Sequence, residues 1–119
     1  MKMIFFLLIF IHSSLSFAAE SSEAFIVNIY EDRIRVVSPK KKMDIVGVII
    51  KNNTFDDIRS EISSEKKVLK RFVLKSQDSE SIQINYSQLK TLYYVSIAPP
   101  FQAVELKFSQ RPYEIPEKK

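Results

Sequence analysis

The chain has no cysteine and no tryptophan, and it carries one histidine and one glycine in 119 residues. Each scarcity removes a class of explanation. Without cysteine there is no disulfide to staple a small domain, no thiol nucleophile and no thiolate ligand. The one histidine is His12, inside an N-terminal segment that reads as a cleaved secretory signal. Met1–Met3 is a short basic start, and Ile4–Ile11 is an unbroken apolar run. Ser16 and Ala18 are the small side chains that a signal peptidase reads. Residues 1–18 are therefore expected to leave, and the mature chain to start at Ala19. No imidazole then remains for general acid–base work, and a serine nucleophile loses its usual base.

The apolar run falls short of the ~20 residues that a membrane-spanning helix needs, and no second run of that kind follows. No transmembrane segment is expected in the mature chain. No cysteine stands at the cleavage site to take a bacterial lipid anchor. These features point to an exported protein of the bacterial envelope, periplasmic in the first instance, otherwise secreted or at the cell surface. Net charge is +4, and Lys2 leaves with the signal. That balance is too weak to indicate nucleic acid, and none is expected as a partner.

What is present is strand-forming sequence. Phe25–Tyr30 is β-branched and aromatic, and Arg33–Val37 alternates charged and apolar side chains, with Ile34 and Val36 on one face. Ile45–Ile50 is apolar on both parities, as in a strand in the middle of a sheet. Its Gly47 predicts a bulge or a close backbone approach. Lys51-Asn52-Asn53-Thr54 is turn-forming. The stretch 56–74 has two readings. As a helix it would be capped by Thr54 and make the fold α+β; as two strands, the preferred reading, it turns over Ser63–Lys67. Ser76–Glu80 is a polar turn. Ile82, Ile84 and Tyr86 alternate with polar residues, Leu92–Ile97 is a further strand, and Val104, Leu106 and Phe108 mark another. Residues 111–119, with Pro112 and Pro116, read as a proline- and lysine-bearing tail, either docked through Tyr113 and Ile115 or loose.

Seven or eight short strands at this spacing predict an all-β fold, one antiparallel sandwich of immunoglobulin type spanning residues 19–110. The succession Asp32–Val37, Val46–Thr54, Phe72–Leu74 and Ser79–Ile84 resembles immunoglobulin-like domains of bacterial envelope proteins. In this rhythm it is similar to the first domain of periplasmic pilus chaperones, over most of residues 32–97. The resemblance implies a sandwich fold. The cleft of those chaperones lies between two domains, whereas the stretch read here is one domain, so no cleft residue is carried over.

Few arrangements suggest chemistry. Ser64-Glu65-Lys66-Lys67 has the Ser-x-x-Lys spacing, which works only on a helix and here reads as a charged turn. Asp56-Asp57 near Asn52 and Asn53 lacks the alternating ligands of a calcium loop and reads as turn chemistry. Asn52-Asn53-Thr54 and Asn85-Tyr86-Ser87 match the glycosylation pattern by composition alone. No cofactor and no metal are expected, and the chain reads as a non-enzyme. The expectation is a binding module that contacts another envelope protein, through strand addition at an open sheet edge or through a corner of aromatic and proline residues. Its candidate contact corner is Tyr93, Tyr94, Pro99, Pro100 and Phe101, where an exposed tyrosine would adjoin a rigid Pro-Pro-Phe loop. A second candidate is the basic loop Lys40, Lys41 and Lys42, which would suit carbohydrate or an anionic envelope polymer; Lys66, Lys67, Lys70 and Arg71 form a further basic cluster. An enzyme working through carboxylates is the remaining alternative, with no pair of acids singled out.

Overall fold

A computed structural model describes residues 23–65, 67–97 and 102–115; residues 1–22 (which include the expected signal), Lys66, Ala98, Pro99, Pro100, Phe101 and residues 116–119 lie outside the described residues. Among the described residues nine strands form two sheets. They are β1 (Ala24–Ile29), β2 (Ile34–Val37), β3 (Ile45–Asn52), β4 (Ile58–Ser64), β5 (Lys67–Leu74), β6 (Ser79–Asn85), β7 (Tyr93–Ser96), β8 (Gln102–Glu105) and β9 (Tyr113–Ile115). The five-stranded sheet runs β6-β3-β1-β2-β9 and the four-stranded sheet β5-β4-β7-β8. Every described pairing is antiparallel except β1 with β3. The all-β sandwich expected from strand spacing is what forms.

Period-two alternation decides which side chains fill the space between the sheets. Phe25, Val27 and Ile29 of β1 face the same interior as Val46, Val48 and Ile50 of β3, and Ile34 and Val36 of β2 join them. The opposing sheet contributes Ile58, Ile62, Tyr94 and Val104, so one contiguous core fills the domain. Tyr94 is fully buried, and its hydroxyl shares a 2.8 Å hydrogen bond with Ser60 Oγ on the paired strand. That bond is what allows a phenol to sit in an apolar interior. Burial pushes the Tyr94 phenol up to about 12, and the Ser60 hydrogen bond offsets part of that rise.

Three expectations meet a definite outcome. The stretch 56–74 is a hairpin, with helical capping absent and the turn shortened around Glu65, whose φ of 52° is left-handed. The helix loses because Ile58, Ile62 and Leu74 all reach the core at strand periodicity. Gly47 makes neither a bulge nor a tight approach: β3 and β6 stay in register past it, and a Cβ there would meet Ala24 Cβ at an ordinary 3.5 Å. The proline-bearing tail is docked through 115, because Tyr113–Ile115 adds β9 to the free edge of β2. Tyr113 also donates its hydroxyl to the Glu105 carbonyl of the other sheet, at 2.9 Å.

Candidate interaction surface

Strand direction sorts the loops to two ends of the sandwich. One end gathers the β1–β2 turn, the β3–β4 loop and the β5–β6 turn. Asn52 builds this end. It is 1% exposed, and its side-chain amide donates to the carbonyls of Asp56, Leu74 and Lys75 at 2.8–3.1 Å. Its Oδ1 accepts from the Thr54 backbone N–H and the Thr54 hydroxyl, at 2.9 and 2.6 Å. All the hydrogen-bonding capacity of one buried amide is thereby spent on holding the β3–β4 loop against the end of β5.

Other side chains complete the frame. The Thr54 carbonyl accepts from Ser76 Oγ and Gln77 Nε2, each at 2.8 Å. Gln77 takes a φ of 63°, a left-handed conformation that disfavours a residue with a Cβ, in the turn closed by Asp78 N–H on the Lys75 carbonyl. Asp57 Oδ1 accepts from the Ser76 N–H. Finally, the Phe55 N–H donates to Glu31 Oε1 of the β1–β2 turn at 2.9 Å. The loop so fixed from three sides presents Phe55 at its tip, 83% exposed.

An aromatic ring held in water by a tightly hydrogen-bonded frame is the most distinctive surface feature among the described residues. Folding does not remove its apolar area from water, although the loop that carries it is hydrogen-bonded on several sides. The three loops of this end carry five exposed carboxylates: Glu31, Asp32, Asp56, Asp57 and Asp78. The cations of the same three loops are Arg33 and Lys75. Arg33 pairs with Asp32 and Glu114 and stacks over the Tyr30 ring, and Lys75 lies 3.8 Å from Asp57. Among the described residues no group of three or more His, Cys, Asp or Glu side chains could hold a metal ion. This end thus carries an exposed aromatic ring on a hydrogen-bonded loop, in loops with more carboxylates than cations.

The residues singled out by sequence are distributed differently. Tyr94 is withdrawn from the candidate contact corner, because its side chain belongs to the core. Tyr93 is half-buried on the outer face of the four-stranded sheet, beside Ser63 and Glu105 on neighbouring strands. Pro99, Pro100 and Phe101 lie outside the described residues. Lys40, Lys41 and Lys42 are exposed, as expected of a loop, but at the end of the sandwich opposite Phe55. Ser64 is buried while Lys67 is exposed across a hairpin, so the helical geometry required by Ser-x-x-Lys is absent. Asn52 is buried, which closes the first glycosylation pattern in the folded chain. Phe55 received no reading from sequence. The signal was there as an aromatic residue embedded between Asn-Asn-Thr and Asp-Asp, an apolar side chain inside an otherwise polar turn.

The chain matches no protein-family model, no curated protein and no solved structure.

Proposed function

We propose that this chain is an exported, non-catalytic interaction module of the bacterial envelope, which binds another envelope protein by inserting Phe55 into an apolar pocket with a basic rim. The observation that carries the reading is Phe55 itself, 83% exposed on a loop whose backbone is held by Asn52, Glu31, Ser76 and Gln77. Interface energy concentrates in a few aromatic anchors, and a loop ordered before binding loses little entropy on binding. The carboxylates of the loops at this end select a cationic partner surface and steer it on approach.

Export is supported by the basic start, the apolar run and the small residues at Ser16 and Ala18. No helix among the described residues is long and apolar enough to cross a membrane. A likeness of topology to immunoglobulin-like domains is supported by the sheet membership of β3 and β6 on one side and β4, β7 and β8 on the other, with the chain crossing between sheets from β3 to β4 and from β6 to β7.

The test is a photo-crosslinking side chain placed at position 55 in the native envelope, followed by affinity measurement with the protein it captures. Phe55→Ala should weaken that complex by about 30-fold or more, the loss of a hot-spot aromatic, with an unchanged circular dichroism spectrum. Wild-type affinity in Phe55→Ala would overturn the assignment.

A further inference from the structure

The opposite end of the molecule has the reverse charge, and hydrogen bonds gather its loops. Ser109 donates its N–H to the Pro39 carbonyl at 2.8 Å and its hydroxyl to the Lys40 carbonyl at 2.7 Å. The Asp44 carbonyl accepts from the N–H groups of Tyr86 and Ser87, and the Leu106 N–H donates to the Leu92 carbonyl. The connections β2–β3, β6–β7 and β8–β9 are thus pinned to one another. They bring Lys40, Lys41, Lys42, Lys90, Lys107 and Arg111 to one end, all exposed. Asp44 is the only acid within those three connections, Glu105 flanks them and lies 3.6 Å from Lys107, and Glu65 stands on the adjoining β4–β5 turn.

Apolar side chains at this end separate two kinds of polyanion. The aromatic rings turn inward: Phe25, Tyr86 and Phe108 pack on one another with centroids 4.6–6.1 Å apart, and the Tyr86 hydroxyl donates to the Leu106 carbonyl. No exposed ring among the described residues at this end offers a platform for a sugar face. Two aliphatic side chains stand out in water instead, Ile45 at 60% and Val68 at 38% exposure; Ile45 follows Asp44, three positions after Lys42, and Val68 follows Lys67. Lysines with flanking exposed aliphatics suit the boundary between phosphate headgroups and acyl chains.

We infer that the Lys40–Lys42 end of the sandwich docks on an anionic phospholipid surface, with the lysines over headgroup phosphates and Ile45 dipping toward the acyl boundary. This site is separate from Phe55, which then points away from the bilayer by roughly the length of a strand, ~25 Å for eight residues.

The experiment is sedimentation of the full mature chain with vesicles of phosphatidylglycerol and phosphatidylethanolamine, against vesicles of phosphatidylcholine. Binding is expected on the anionic vesicles only, and to fall steeply as salt rises. The triple variant Lys40→Ser, Lys41→Ser, Lys42→Ser should lose on the order of 100-fold in affinity. Ile45→Ser should lose several-fold, and Phe55→Ala should bind as wild type, which separates this inference from the function proposed above. These substitutions are at exposed positions, and circular dichroism checks that each variant folds. Absence of binding to anionic vesicles at low salt overturns the inference, as does a triple variant that binds like wild type. Equal affinity for soluble polyphosphate, with Ile45→Ser without effect, overturns it in favour of an anionic polymer.

Discussion

Asn52 illustrates how much one side chain can carry. Its amide satisfies three carbonyls and two donors in a site with almost no water access. Asn52→Ala would strand those groups, each at a cost of about 1 kcal/mol or more, so a loss of about 3 kcal/mol in urea unfolding is expected. The same variant should weaken partner binding, since it releases the frame around Phe55. Gly47 is the counter-case. Its backbone needs no left-handed φ and its Cβ has room, so Gly47→Ala should leave stability unchanged or raise it by up to about 1 kcal/mol. Tyr94 gives a pH signature. The unfolded chain releases a phenolic proton near pH 10, whereas the folded chain holds it to about 12. Stability is therefore fully present below pH 10 and declines as pH rises from 10 toward 12, by ~1.4 kcal/mol per unit at most. Tyr86 and Tyr113, also raised chiefly by burial, act in the same direction. Tyr94→Phe should flatten the alkaline limb in urea titrations at pH 8 and pH 11.

At the scale of elements, β9 is the strand most open to test. Its Tyr113 and Ile115 are half-buried, Glu114 Oε2 accepts from Arg33 Nε at 3.1 Å, and the Tyr113 hydroxyl reaches the other sheet. Ending the chain at Pro112 would uncover the β2 edge and one side of Ile34 and Val36. A drop of about 2–4 kcal/mol in unfolding free energy is expected, along with concentration-dependent association through the bared edge. Most of the other strands were legible in the residues, some by alternation, as in Ile34 and Val36 of β2, and β3 by its unbroken apolar run. β9 was not, since three residues between Pro112 and Pro116 carry no period. Nor was the pairing of β1 with β3 in parallel, because strand order depends on contacts distant in sequence, which periodicity does not encode. The hairpin over 58–74 needed context: Ile58, Ile62 and Leu69 suit a helix nearly as well.

For the molecule as a whole, the candidate site was the least legible part. Lysines at 40–42 could be read as exposed, yet their meeting with Lys107 and Arg111 depends on Ser109 folding back onto Pro39 and Lys40. Likewise Glu31, Thr54 and Gln77 converge on one loop only after three turns are stacked at the same end. The Tyr93-Tyr94 pair was informative about alternation and misleading about contact, because the more buried ring took the hydroxyl partner that a core tyrosine needs.

The parallel β1–β3 ladder constrains the order of assembly. The first described strand lies in the middle of its sheet and the last one closes its edge, so both must be present before the sheet is complete. A nascent chain that has delivered only β1 and β2 holds a hairpin with bare ladders on both sides. It acquires a neighbour when β3 arrives, and it loses the last open flank only when residue 115 is free. Until then those bare ladders are templates on which a second copy can pair.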